Sequence, residues 1–172
     1  MMKKNLFITG LPGVGKTSLV MKVVNKYPEK FGGFYTKEIR EDAVRKGFMI
    51  CTTDGKQDIF ALKGLKSKYV VGSYGVNIDV LENVGISALM SAVETKEIIL
   101  IDEIGKMELF SEKFRTTVLK CLNLSKKVLA TIKFTKDKFT DELKLRKDIE
   151  ILELKKENYN LLLDYIERWV LY

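Results

Sequence analysis

Apolar residues along this chain fall into short continuous runs that alternate with segments of helical period. Asn5 to Thr9 reads as a buried strand. Leu19, Val20, Val23 and Val24 then recur on one helix face, which predicts a helix from Lys16 to Tyr27, ended by Pro28 and the Gly32-Gly33 pair. Three β-rich runs follow: Phe34 to Arg40, Gly47 to Thr53, and Ile59 to Leu62. Asp54-Gly55 forms a hairpin turn between the last two. Gly64 to Ser73 is loop-like, with Tyr69-Val70-Val71 as a brief edge strand. Val80, Leu81, Val84, Ile86, Leu89, Met90 and Val93 make an imperfect helical stripe, N-capped by Asp79 and interrupted near Gly85 and Ser87. Glu97 to Glu103 is an apolar strand ending in two acids. Helix Ser111 to Leu122, strand Val128 to Ile132, helix Asp137 to Lys144, strand Ile149 to Leu154 and helix Glu157 to Val170 complete the chain. The alternation predicts an α/β fold: a mainly parallel sheet covered on both faces through right-handed crossovers, with an antiparallel β-hairpin extension in the middle section. No linker, repeat or low-complexity tract divides residues 1–172, so one domain is expected.

Composition narrows the function classes. With 46% hydrophobic and 31% charged residues, the chain has enough apolar material for a core and is not disordered by composition. No apolar run spans a membrane, and Asn5 to Ile8 is too short for a signal-peptide core, so a cytoplasmic location is expected and no membrane partner. Cys51 and Cys121 lie far apart inside apolar segments and read as buried thiols. The chain has no histidine, which removes zinc chemistry and the commonest general base. The net charge of +7 is spread and interleaved with acids, without a compact basic tract or aromatic RNA-binding signature; this argues against a nucleic-acid partner. Nothing in the sequence names a protein partner.

The chemistry concentrates in two stretches. Gly10, Leu11, Pro12, Gly13, Val14, Gly15, Lys16 and Thr17 give G-x-x-x-x-G-K-T between a strand and a helix, the Walker A pattern. Glycines let successive backbone N–H groups turn inward around a polyphosphate, and the helix N-terminus faces the anion. Lys16 reaches the β- and γ-phosphate oxygens, and the Thr17 hydroxyl ligates Mg2+. The apolar Ile98 to Ile101 followed by Asp102-Glu103 is the matching Walker B strand, with Asp102 at a strand's carboxyl end, where open α/β sheets bind ligands. Asp102 is expected to hold the magnesium with Thr17, and Glu103 to polarise the attacking water. Neighbours on a strand end, their side chains should point in different directions.

Several strings together resemble the THEP-type nucleoside-triphosphatases, a P-loop family with thermophile members and a human cancer-related relative. They are the phosphate loop Gly10 to Thr17, Gly33 to Arg40, Ile101 to Ser111, Arg146-Lys147-Asp148 and Lys156-Glu157-Asn158. Within Ile101 to Ser111, the run D-E-I-G-K-M-E is the most specific. The resemblance spans nearly the whole chain. It implies a three-layer, RecA-like P-loop domain that hydrolyses ATP, GTP, CTP and UTP with magnesium and broad base tolerance. It also implies nucleotide contacts from Gly10 to Thr17 and from Ile99, Leu100, Ile101, Asp102, Glu103, Ile104, Gly105 and Lys106. The chain departs from the pattern at Lys133-Phe134, where relatives vary, and at Tyr159, where an arginine is expected.

Other polar residues carry weaker signals. Lys106, Arg40 and Arg146 are candidates for transition-state charge stabilisation, each with a solvated-surface alternative. Thr131 ends its strand as either a γ-phosphate sensor or a capping hydroxyl. Phe34, Tyr35 and Phe48 read as packing residues rather than a base-stacking platform. Two other functions compete with hydrolysis. A nucleotide or small-molecule kinase would use the same loop, but an arginine-rich lid is lacking. A GTPase-like switch would need N-K-x-D, and Thr135-Lys136-Asp137-Lys138 lacks its final Asp.

Overall fold

The computed structural model describes residues 2–172, and the alternation of apolar runs and helical stripes becomes a single nine-stranded sheet with helices on both faces. The strands are β1 (Asn5–Thr9), β2 (Phe31–Glu41), β3 (Val44–Thr52), β4 (Gln57–Lys63), β5 (Val70–Val71), β6 (Tyr74–Val76), β7 (Ile98–Ile104), β8 (Lys127–Ile132) and β9 (Ile149–Glu153). Their order is β5-β6-β4-β3-β2-β7-β8-β1-β9. The pairs β2/β7, β7/β8, β8/β1 and β1/β9 are parallel. From β2 outward the ladder turns antiparallel through β3, β4, β6 and β5. The antiparallel extension is therefore larger than one hairpin. β6 closes it, although Tyr74 to Val76 carries too short an apolar run to be read as a strand.

The parallel strands are apolar on both faces because each face meets helices. On one face Phe7, Ile99, Ile101, Val128 and Ala130 pack with Leu81, Leu89, Phe114 and Val118. These come from a π-helical turn (Leu81–Ile86), α3 (Ser87–Thr95) and α4 (Glu112–Asn123), and α2 (Ile78–Val80), which leads into the turn, adds Val80. Phe34 and Phe114 meet edge to face, with ring centroids 6.1 Å apart. On the other face the alternate residues Leu6, Ile8, Ile98, Leu100 and Leu129 pack against α1 (Lys16–Lys26) and α6 (Tyr159–Leu171), including Leu19, Val23, Ile166 and Trp169. A seventh helical segment, α5 (Lys138–Lys144), is N-capped by the Asp137 side chain. No helix of the described residues is long and apolar enough to cross a membrane. Cys51 and Cys121 are free and buried, and burial pushes the Cys121 thiol up to about 11.

Three local expectations are corrected. α1 ends at Lys26, but Gly32 and Gly33 lie inside β2 rather than in a helix-ending turn. Gly33 has φ +131°, and a side chain there would run into the Leu100 carbonyl, so this glycine serves close strand approach. The residue preceding α2 is Asn77, without a side-chain cap, rather than Asp79. The interruption at Gly85 is a π-helical turn within a continuous helical course, packed against Phe34, rather than a break.

Candidate active site

The phosphate loop joins the end of β1 to the start of α1. Gly15 precedes the helix with φ +103°, a left-handed conformation that costs glycine nothing and that turns the first helical N–H groups toward the cleft. Leu11 is exposed at the loop tip, whereas Val14 packs back onto the α1/α6 face. Lys16 is buried; its ammonium crosses the loop and donates to the carbonyls of Gly10 (3.0 Å) and Leu11 (3.4 Å).

β1 and β7 are not neighbours: β8 lies between them, and its carboxyl end supplies the missing link. The register of β7 against β8 shifts between Ile101 and Ile104, in the stretch that holds Asp102 and Glu103. Asp102 is fully buried. Its Oδ1 accepts from Thr17 Oγ1 (3.1 Å) and, more closely, from Thr131 Oγ1, so the three strand and helix ends converge on one carboxylate. Oδ2 is buried with no hydrogen-bond partner among the described residues. An orphaned carboxylate oxygen beside a threonine hydroxyl fits a divalent cation. No cluster of three or more His, Cys, Asp or Glu able to hold a metal occurs among the described residues. Magnesium in phosphate sites needs none, because it takes one or two protein oxygens and fills its octahedron with water and substrate phosphate.

Burial raises the Asp102 carboxyl above the ordinary range; hydrogen bonds from Thr131 and Thr17, the Thr36 backbone N–H, which approaches the carboxylate without meeting hydrogen-bond geometry at Oδ2, and the charge of Lys16 oppose it. Glu103 is also raised, first by burial. Lys16 and Lys133 pull it back and Asp102 adds to the rise. Glu108, buried in the turn after β7, is raised well above the usual value by burial and then by the charge of Glu103.

Lys16, Glu103, Glu108 and Lys133 open into a cleft of about 830 Å³, whereas Asp102 and Thr131 are buried and do not line it. Its loop side holds Gly10, Pro12, Gly13, Gly15, Lys16 and Thr17, and its far wall is the β2–β3 hairpin, with Tyr35, Lys37, Arg40, Arg45 and Phe48. Glu103, Lys106, Glu108 and Lys133 lie along the same cleft. The structure keeps Ile99, Leu100, Ile101 and Ile104 in the core, where none of their side chains lines the cleft. Gly105 is buried between the Glu103 and Glu108 side chains. Arg40 lines the cleft, yet its guanidinium is held by Glu38 (2.5 Å) and by the Ala43 carbonyl (2.9 Å). Arg146 does not line it; it pairs with Asp148 at 2.9 Å beside β9. Tyr159 packs on the α1/α6 face, outside the cleft lining.

The sequence alone did not bring Glu108, Arg45 or Lys133 to this site. Lys133 carried one usable signal, its position just past the carboxyl end of a parallel strand. Tyr35 and Phe48, read as packing residues, do reach the cleft, while Phe34 is core.

A family model described as NTPase matches residues 5–167. The nucleoside-triphosphatase THEP1 of Thermotoga sp. (strain RQ2) is 48% identical over 161 residues, covering 94% of this chain and 92% of that protein. The cancer-related nucleoside-triphosphatase homolog of Mus musculus is 34% identical over 178 residues, covering 94% of each. Among solved structures, the crystal structure of THEP1 from the hyperthermophile Aquifex aeolicus matches with a TM-score of 0.89 at 39% identity, covering 96% of this chain and 98% of that one.

Proposed function

The chain belongs to the THEP-type nucleoside-triphosphatase family, and we propose that it hydrolyses ATP, GTP, CTP and UTP to the diphosphate and phosphate with magnesium and little regard for the base. The observation that carries this is the convergence of Thr17, Thr131 and Asp102, with one unpartnered carboxylate oxygen, and the opening of Thr17, Lys16 and Glu103 into one cleft. Thr17 and Asp102 would hold the metal, directly or through water. When bound, magnesium neutralises charge on the β- and γ-phosphate oxygens. The loop amides and Lys16 bind and orient the polyphosphate. Glu103 takes the proton of a water whose oxygen bonds to the γ-phosphorus, while the bond from that phosphorus to the β–γ bridging oxygen breaks and the diphosphate leaves.

The test is phosphate release from the four triphosphates, with and without magnesium. We expect kcat/KM values within about tenfold of one another, or about 1.4 kcal/mol of discrimination, and no turnover once the metal is chelated. A thousandfold preference for one base would overturn the broad-specificity reading. The hairpin wall supports a second reading, because Lys37 carries positive charge along the cleft beyond the phosphate loop, where it would meet an anionic phosphoryl acceptor, while Arg40 and Arg45 pair with Glu38. Repeating the assay with a panel of nucleoside monophosphates separates the two. Transfer faster than release would favour a kinase.

A further inference from the structure

Lys133 stands just past the carboxyl end of β8, the strand that separates the phosphate-loop strand from the strand bearing Asp102 and Glu103. Its backbone is fixed on both sides: its N–H donates to the Ile104 carbonyl at 3.1 Å, and its carbonyl accepts from the Lys144 ammonium at 3.1 Å. Its side chain is nine-tenths buried and lines the same cleft as Lys16 and Glu103. The partners of the ammonium are poor. One long hydrogen bond reaches the Lys136 carbonyl at 3.4 Å, and the nearest carboxylate, Asp137, is 3.8 Å away. Asp137 is positioned by its Oδ1, which accepts from the N–H groups of Phe139 and Thr140 to cap α5, and this leaves its Oδ2 3.8 Å from the ammonium.

A buried ammonium with one weak bond is expensive, because its lost hydration is not repaid by close partners. A lysine kept for structure should sit on a carboxylate at short range. This one lines the cleft, and its charge acts on Glu103 there, where the anion expected beside Lys16 and Glu103 is the terminal phosphoryl group.

We propose that Lys133 is a catalytic residue that contacts the γ-phosphoryl oxygens of the bound nucleoside triphosphate and stabilises the charge they carry in the transition state. This rests on the reading of the phosphate loop above. Lys133 makes and breaks no covalent bond and keeps its proton throughout. The water proton still passes to Glu103, and the bridging oxygen still leaves with the diphosphate. The role is that of an arginine finger supplied from the enzyme's own chain, by a point charge rather than a fork. A diphosphate has no γ-phosphoryl group, so Lys133 should discriminate triphosphate turnover from diphosphate binding.

The experiment compares Lys133→Met, Lys133→Gln and Lys133→Arg with wild type in kcat, KM for Mg-ATP, Kd for Mg-ADP and Tm. The Met and Gln variants should lose about 10²-fold or more in kcat, keep the Mg-ADP Kd within about twofold, and melt no lower than wild type, since the buried charge is gone. The Arg variant should retain more activity than either. Wild-type kcat in both neutral variants would overturn the proposal, as would a kcat loss matched by an equal loss of Mg-ADP affinity or of Tm. Lys16→Ala, assayed alongside, separates the two readings. If it abolishes phosphate release while the Lys133 variants do not, only the role of Lys133 falls; if it too retains turnover, the phosphate-loop reading falls and takes this one with it.

Discussion

Lys16 and Glu108 are both buried charged side chains, yet they call for opposite outcomes on substitution. Lys16 reaches across the phosphate loop to two carbonyls, and its side chain lines the cleft rather than the core. Lys16→Ala should therefore keep the wild-type Tm within a degree or two while phosphate release falls below detection, because the charge at the β- and γ-oxygens is lost. Glu108 has the reverse character. Burial, and then the charge of Glu103, hold its carboxyl well above the ordinary glutamate range. The folded protein thus keeps a proton that the unfolded chain releases near its ordinary value of about 4.3. Stability from this group is complete below that pH and is lost as pH rises through the raised value. Glu108→Gln removes the ionisation, so thermal melts from pH 4 to pH 8 should show its Tm gaining steadily on wild type. A gap that narrows with pH would contradict the burial assigned to this carboxyl.

At the scale of elements, α4 is placed by the N-cap residue that precedes it. The Ser111 hydroxyl accepts from the Phe114 N–H (3.0 Å) and donates to Glu82 of the π-helical turn (2.7 Å), tying two helices together over Phe34. Ser111→Ala should cost about 0.5–2 kcal/mol in chemical denaturation, the usual worth of an N-cap, with an unchanged m-value. Elements buried on both faces, such as β1, β7 and β8, were plain in the sequence because two-sided burial leaves uninterrupted apolar runs. The sites of failure share a different cause. Gly32 and Gly33 read as helix breakers, but they are glycines because Ala92, Lys96 and the Leu100 backbone approach them, a fact held in another strand and helix. Asp79 looked like a cap because it carries the right side chain. The helical course begins two residues earlier, after Asn77, and α2 packs against β4. β6 is specified by its partners β4 and β5, not by its own residues.

At the scale of the molecule, the sheet order accounts for which parts of the site the sequence disclosed. The phosphate loop and the acidic end of β7 are local patterns, so Thr17, Lys16, Asp102 and Glu103 could be named from spacing alone. β8 lies between them in space but follows both in the chain, so the Thr131 bond to Asp102 and the burial of Lys133 exist only once the sheet forms. The hairpin wall is remote for the same reason, and Arg45 joins the cleft through strand pairing with β2.

In the proposed reaction Asp102 serves the metal and Glu103 serves the water. The direct measurement is a magnesium titration of phosphate release by Glu103→Gln and Asp102→Asn beside wild type, with Mg-nucleotide affinity followed in parallel. Glu103→Gln should bind Mg-ATP as wild type does and keep the magnesium midpoint, while kcat falls by roughly 10²–10⁴, the usual worth of a general base. Asp102→Asn should move the midpoint to higher magnesium. Full kcat in Glu103→Gln, or an equal midpoint shift in both variants, would contradict the division of labour between the two acids.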